Sequence, residues 1–382
     1  MICKLLLACQ APACNPSCIE LAAPRPPAAP VYARAQTTGL SNARFVDRMI
    51  YPHPLLPGPG SSPLAETARR AWPTRSAMLA ALFRAAACPR PGTAPIGFRR
   101  VLTHWCRCAV HLDTFRSWIG DAGNPALQEA LAWRPSIMTC IVHPYLHASW
   151  SERRKLEVIA GHYALLQGNL EFLRAASSQA IEVMEVDDRL QVQIDAPGKF
   201  EHEGQLVVNL VREEVRLYSL AFTLGSTHGV RLAYVGALQG VNSPCALQTY
   251  RSLTHRMHGL RPRDLLVTVF RLLCRALGIG RILAVSDQNR ISGNRYFVSS
   301  SQVFSSYDVV WTENGGVATE GGFFELDPCI VRRGTEDIPS RKRAQYRRRY
   351  ALVAELSEQV ANSIAAFQRE QHARAQPPPT SL

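Results

Sequence analysis

Apolar positions change their spacing near residue 178, and the chain divides there. Before that point they recur at three- and four-residue intervals, the period of a helix with one buried face. Met78, Leu79, Leu82 and Phe83 form such a stripe within 64–87, with Pro73 interrupting its first part. Val101, Leu102, Trp105, Ala109, Leu112 and Phe115 form a second within Phe98–Trp118. Ser151 has the chemistry of an N-cap and starts a helix over 152–168, on which Lys155, Ile159 and His162 share a face. After residue 178 the runs are short and β-rich: Ile181–Val186, Leu190–Ile194, Gln205–Val211, Val215–Leu224 and Val230–Leu238. Turn chemistry separates them, at Asp195-Ala-Pro-Gly198 and Gly225-Ser-Thr-His-Gly229, and the whole reads as a meander.

The meander feeds the stretch that organises the chain. Leu232–Gln239 has the length of a buried strand, and Tyr250–His258 is a short amphipathic segment. Gly259-Leu-Arg261-Pro262-Arg263-Asp264 then opens a helix with Leu265, Leu266, Val269, Phe270, Leu273 and Leu277 on one face. Pro262 is tolerated in its first turn, and Gly278 and Gly280 stop it. Arg281–Ser286 is a second buried strand, and Tyr307–Trp311 and Phe323–Leu326 are two more candidates. A long helix opens at Ser340 and reaches about Gln371, before Pro377-Pro-Pro379. The pattern predicts an α+β protein in four parts: a disordered Pro/Ala-rich leader over 1–60, a helical region over 61–178, an α/β region over 179–372 ending in the basic helix, and a disordered tail over 373–382.

Composition adds charge to this picture. The 382 residues are 47% hydrophobic and 19% charged, ordinary for a globular protein, but the net charge is +13. That excess favours a phosphate-bearing cofactor, nucleic acid or anionic lipid as partner. The 11 cysteines show no metal spacing: Cys3, Cys9, Cys14 and Cys18 crowd the leader, and Cys140, Cys245, Cys274 and Cys329 lie singly in apolar settings. This reads as a reducing compartment, so a cytoplasmic protein, with no resident metal. No run reaches the ~20 apolar residues of a spanning helix.

The turn Gly259–Asp264 is the leading binding candidate. A helix start presents free N–H groups and partial positive charge, and Arg261 and Arg263 add full charges. Asp287 and Glu313 follow strand candidates and are the acid/base candidates, and His162 is a candidate for the acceptor side. A second basic cluster, Arg341, Lys342, Arg343, Arg347, Arg348 and Arg349, interleaves with Tyr346 and Tyr350. It reads as a solvated helix start, a lipid-facing surface or a nucleic-acid contact, the last ranked lowest for want of a reading motif.

The order meander, strand, Gly/basic turn, helix, strand resembles acyltransferases of the GNAT type. The resemblance implies a helical N-terminal half packed on a GNAT-like mixed sheet. Gln239, Gly259, Arg261 and Arg263 would then hold the phosphates of CoA or acyl-CoA. Arg261 and Arg263 stand where that superfamily's turn pattern has small residues. Several further blocks, taken together, resemble the VirK/YbjX family over residues 75–365. They are His143-Pro144, Arg154 with His162-Tyr163, Glu203-Gly204, Leu238-Gln239-Gly240, Leu253-Thr254, Gly259-Leu-Arg-Pro262, Ala284-Val-Ser286, Tyr307-Asp308 with Trp311 and Glu313, and Ile338-Pro-Ser-Arg-Lys-Arg343 with Tyr346–Arg349. That resemblance implies a bacterial protein linked to virulence, the envelope and resistance to antimicrobial peptides, without a defined reaction. Two readings follow. One is an acyltransferase using a CoA or carrier thioester on an envelope-related acceptor. The other is a non-enzymatic factor, peripheral at the inner membrane, that binds anionic lipid or an acidic partner through its basic helix.

Overall fold

A computed structural model describes residues 75–87, 97–120, 124–134, 136–167, 170–176, 180–187, 189–241, 246–291 and 306–375. The expected leader, Cys245 and 376–382 of the expected tail lie outside them, while 373–375, expected in the disordered tail, are helical. All the described residues belong to one unit, Ile50–Leu382.

The periodicity before residue 178 becomes helices. They are α1 (Arg75–Ala87), α2 (Phe98–Val110), α3 (Leu112–Gly120), α4 (Pro125–Trp133), α5 (Ile137–Val142), α6 (Glu152–Leu166) and α7 (Glu171–Ala176). The stripe in 98–118 is two helices rather than one. At His111 the backbone N–H turns back to the Cys108 carbonyl, three residues away, and the helix direction breaks there. Ser151 caps α6 as expected, its hydroxyl accepting the Arg154 N–H.

The meander forms as expected. β1 (Ile181–Asp187), β2 (Leu190–Asp195), β3 (Leu206–Arg212), β4 (Val215–Thr227) and β5 (Val230–Gly240) pair antiparallel in sequence order. Two tight turns set its register. Glu213-Glu214 and His228-Gly229 all have positive φ, the two-residue hairpin geometry whose twist matches the strands. Next come α8 (Ala246–Arg256), α9 (Pro262–Ala276) and β6 (Arg281–Val285), with β6 parallel to β5. A parallel pair needs a long crossover, and the two helices supply it. The sheet closes with β7 (Val317–Ala318) and β8 (Phe323–Leu326), giving the order β1-β2-β3-β4-β5-β6-β8-β7.

Tyr307–Trp311, expected as a strand, is helical: α10 spans Tyr307–Glu313. Its apolar residues suit either period, and capping decides. The Ser306 hydroxyl accepts the Val309 N–H, and the buried Tyr307, Val310 and Trp311 fall on one helical face. The helix fills the opening where β5 and β6 stop pairing, after Val235 and Ala284. There the Leu238 N–H donates to the Tyr307 hydroxyl at 3.0 Å, and the Trp311 indole donates to the Val285 carbonyl at 2.9 Å.

The core lies between the sheet and its helices. α9 buries its predicted face, with the Phe270 and Phe222 rings 5.0 Å apart. Burying each such side chain stabilises by roughly 1.5–3 kcal/mol. α11 (Ser340–Ala375) buries Leu356, Val360 and Ile364 at four-residue spacing, and Ser363 donates to the Val183 carbonyl of edge strand β1. A helix thereby covers an edge that would otherwise expose a strand. Cys140 and Cys274 are buried, whereas Cys329, expected to be buried, is exposed in the loop after β8. Among the described residues no helix is long and apolar enough to cross a membrane.

Candidate functional site

Two basic stretches about eighty positions apart in the sequence meet at one place. Gly259 has φ +80°, and a Cβ there would stand 2.5 Å from the Gln345 amide and 2.9 Å from the Arg349 guanidinium. The positive φ favours glycine, and a side chain there would push the ends of Gln345 and Arg349 aside. Arg349 also donates to the His258 carbonyl, at 3.2 Å from Nη2. The first turns of α11 thus lie against the turn that opens α9.

Between them runs an open groove of about 1110 Å³. Arg251 and Arg256 from α8, Arg261 and Arg263 from the start of α9, and Arg341 and Arg348 from α11 line its walls. Arg341 and Arg348 are seven apart, two helical turns, so they share a face. No Asp or Glu lines the groove, and no carboxylate pairs with Arg251, Arg341 or Arg348 among the described residues. Tyr218 and Tyr250 supply an aromatic side, their rings 5.5 Å apart. Burial holds the Tyr250 phenol up to about 12, the neighbouring Tyr218 adds to this, and burial also raises Tyr218. Both phenols therefore stay neutral near pH 7. Arg261 is the N-cap of α9 and makes no side-chain cap bond. Six cations, three of them with no carboxylate beside them among the described residues, neutral rings and a helix start suit an elongated ligand with several phosphates.

A family described as "Protein of unknown function (DUF535)" matches residues 97–362, well over half of the sequence. The chain belongs to that family. This DUF535 protein is 27% identical over 254 residues to "Uncharacterized protein YbjX" of Escherichia coli strain K12, covering 64% of the chain and 77% of that protein. An "Uncharacterized protein" of Haemophilus influenzae is 31% identical over 130 residues, 34% of the chain and 43% of that protein. "Membrane protein LapB" of Mannheimia haemolytica is 24% identical over 172 residues, 44% of the chain and 76% of that protein. No solved structure matches. The VirK/YbjX resemblance read from the sequence is borne out, and these relatives are bacterial.

Within this DUF535 protein the remaining candidates separate. Glu313 ends α10 and pairs with Arg261 at 3.2 Å and with Arg263 at shorter range. It thus occupies the cations expected to hold phosphate. Asp287 is committed to α10: it accepts the Tyr307 N–H at 2.9 Å and the Ser306 hydroxyl, and pairs with Arg290 at 3.1 Å. Partial burial pushes its carboxyl upward, but the Ser306 and backbone hydrogen bonds and Arg290 outweigh that and hold it below the usual carboxylate range. His162 is 0% exposed. Its Nδ1 accepts the Leu224 N–H at 3.1 Å, beyond the end of β3, while Nε2 has no partner. Burial, with Arg134 adding, lowers its pKa to about 3, so it is a neutral core group away from the groove.

Gln239 pairs with Ser219, and Gly240 with Tyr218. Successive strand residues face opposite sides, so Gln239 points away from the groove and lies beside the Tyr307 hydroxyl. Arg343 donates to the Ile338 carbonyl, and Lys342 and Arg347 are exposed outside the groove lining. Sequence reasoning missed Arg251, Arg256, Tyr218 and Tyr250. Arg251 and His255 stand one helical turn apart on α8, a signal that was legible; the tyrosines carry none without the sheet.

Proposed function

We propose that the groove holds the phosphate-bearing end of CoA, or of the phosphopantetheine of a carrier protein, and that the protein is an acyltransferase of GNAT-like architecture. The observation that carries this reading is the convergence of six arginines and two tyrosines on a groove at the start of the crossover helix. What supports it further is the strand order: an antiparallel meander, then one parallel pair whose partners stop pairing partway along β5. An acceptor amine or hydroxyl attacks the thioester carbonyl, the C–S bond breaks, and the thiol leaves with the proton the acceptor loses. The protein's contribution is positioning. The pantetheine arm separates phosphates from thioester, so a carboxylate on Arg261 and Arg263 is not at the reacting carbon. Glu313 is therefore a competitor for the phosphate site, and the acid/base role is not assigned to it or to Asp287. The acceptor is envelope-related, in keeping with the VirK/YbjX membership.

Calorimetry with CoA at low and moderate salt tests the reading. Binding should persist at moderate salt and disappear with Arg261→Ala and Arg263→Ala together. Unchanged binding in that double variant sinks it.

A second reading draws on Lys342 and Arg347, exposed outside the groove: a non-enzymatic factor that binds anionic lipid or an acidic partner through α11. It predicts salt-sensitive vesicle binding that is lost when Arg347 and Arg348 are neutralised.

A further inference from the structure

α2 carries an apolar stripe that no described residue covers. Phe98 is 70% exposed, Leu102 40% and Val110 80%, and Cys106 between them is exposed as well. These four stand at steps of four residues, so they form a row that winds slowly around one side of the helix. The opposite side is the buried one, held by Val101 and Cys108. Both sides of α2 are thus apolar, although one of them faces water.

The neighbourhood of the row says what it suits. Trp105 borders it, half-buried, its indole N–H donating to the Leu79 carbonyl at 2.9 Å. Phe83 of α1, itself 39% exposed, meets Trp105 edge-on at 6.1 Å and widens the apolar area. Arg99, Arg100 and Arg107 lie on the other flank, all exposed, and Arg84 of α1 is exposed beside Phe83. Neither α1 nor α2 contains an Asp or Glu. Of the described carboxylates near this surface, Asp113 pairs with Arg75 at 2.7 Å and Glu152 lies 3.9 Å from Arg107. Large apolar groups in a row with arginines alongside and no acid on the helix are what an interfacial helix needs. The apolar row enters the acyl boundary while the guanidinium groups stay at the level of the head groups.

We propose that α2 is a membrane-docking helix, which lies flat on an anionic lipid bilayer through Phe98, Leu102 and Val110, with Arg99 and Arg107 at the level of the lipid phosphates. The commitment to lipid rather than to a protein surface rests on charge: among the described residues Arg84 and Arg99 beside the row pair with no carboxylate, and Arg107 lies 3.9 Å from Glu152. The proposal is independent of the groove and of the CoA reading, and it is an alternative to the lipid reading of α11. It also differs from lipid contact through α11 in its key residues, which are apolar.

Vesicle flotation of the full chain tests it, with vesicles of about 30% phosphatidylglycerol in phosphatidylcholine, against phosphatidylcholine alone. The wild type should float with the anionic vesicles. Phe98→Glu with Val110→Glu removes apolar area and adds repulsion, and should lower the bound fraction about tenfold or more. Both positions are exposed, so thermal unfolding of this variant should match the wild type, which keeps a folding defect from imitating the result. Arg347→Gln with Arg348→Gln should retain at least roughly half of the binding, because exposed cations off the docking face add little. Four outcomes overturn the proposal. They are absent flotation of the wild type, equal flotation on phosphatidylcholine alone, unchanged flotation of the Phe98/Val110 variant, and loss of flotation confined to the Arg347/Arg348 variant. Light scattering adds a fifth: a wild-type dimer that the Phe98/Val110 variant converts to monomer would make the row an interface between copies.

Discussion

Arginine and tyrosine build two regions of this molecule, with opposite outcomes. Behind the sheet, Arg134 donates to the Tyr163 hydroxyl at 2.7 Å and to the Gln205 side chain. Tyr163 donates to Gln205 at 3.0 Å, Gln205 to the Tyr145 hydroxyl at 3.1 Å, and Tyr145 shares a hydrogen bond with Thr223 at 2.5 Å. In that network the Arg134 cation lies 3.9 Å from the Glu201 carboxylate, and each of these side chains finds a protein partner, although Nε and Nη1 of Arg134 make no hydrogen bond. In the groove Arg251, Arg341 and Arg348 pair with no carboxylate among the described residues, and the rings face an open space. A satisfied buried network holds a fold, and its members cannot also hold a ligand. Cations gathered with no acid beside them repel one another, and a protein that keeps them together gains when an anion arrives. The same side chains are structural in one setting and receptive in the other. Burial among protein partners separates them from exposure to an open groove, not residue type.

The contrast is broken most severely at Arg134. Arg134→Ala leaves the buried Tyr163 and Gln205 without their Arg134 partner and the half-buried Glu201 without its counter-charge, and should destabilise by about 3–5 kcal/mol, a fall in Tm on the order of 10 °C. Calorimetric unfolding that shifts by only a degree or two would mean the network is wet. His162 gives the next effect. Its folded pKa, about 3, lies below the ordinary 6.5, so the unfolded chain binds a proton that the native chain refuses. Its contribution is complete above pH 6.5 and is lost as pH falls toward 3, at about 1.4 kcal/mol per unit. His104, lowered to about 4 by burial and then by Lys155 and Arg107, adds to that slope. Urea unfolding at pH 7 and pH 5 should show the loss, and His162→Gln should reduce the slope; an unchanged slope contradicts the burial argument.

The groove responds to smaller changes and through ligand rather than fold. Arg261→Ala with Arg263→Ala should cut CoA affinity at least about tenfold, while stability stays within about 0.5 kcal/mol. Equal losses of stability and binding would put these arginines with the structural set. Smallest is Glu313→Gln. It releases two cations from a carboxylate that is 44% exposed, and CoA or inorganic phosphate should bind roughly twofold to fivefold tighter. Weaker binding would show that Glu313 helps to hold the ligand instead of competing with it.

Much of the fold was legible because its signals are local. The five strands of the meander announced themselves by alternation, α9 by its stripe between Pro262 and Gly278, and α6 by Ser151. Tyr307–Trp311 was misread because five residues with two valines fit a strand as well as a helix. What selects the helix is a cap from Ser306 and backbone bonds to Asp287, which approaches from the end of β6. His162 has a similar history. It shares a helical face with Lys155 and Ile159, which is compatible with a ligand surface, and only the packing of α6 on β4 makes it a partner for the Leu224 N–H.

The sequence by itself determined the periods, the turns, the excess of positive charge and the family, since each is carried by residues within a short window or by their order. Tertiary structure decided which charges meet. Arg261 and Arg263 come beside Arg341 and Arg348 because the crossover returns β6 parallel to β5 while α11 runs along β1 and back to the turn at Gly259. Glu313 falls onto those arginines by the same route, and Gln239 is turned away from them by a single step of strand alternation. Spacing along a chain encodes an element's own shape. Contact between elements depends on sheet order and helix packing, which are summed over the whole core.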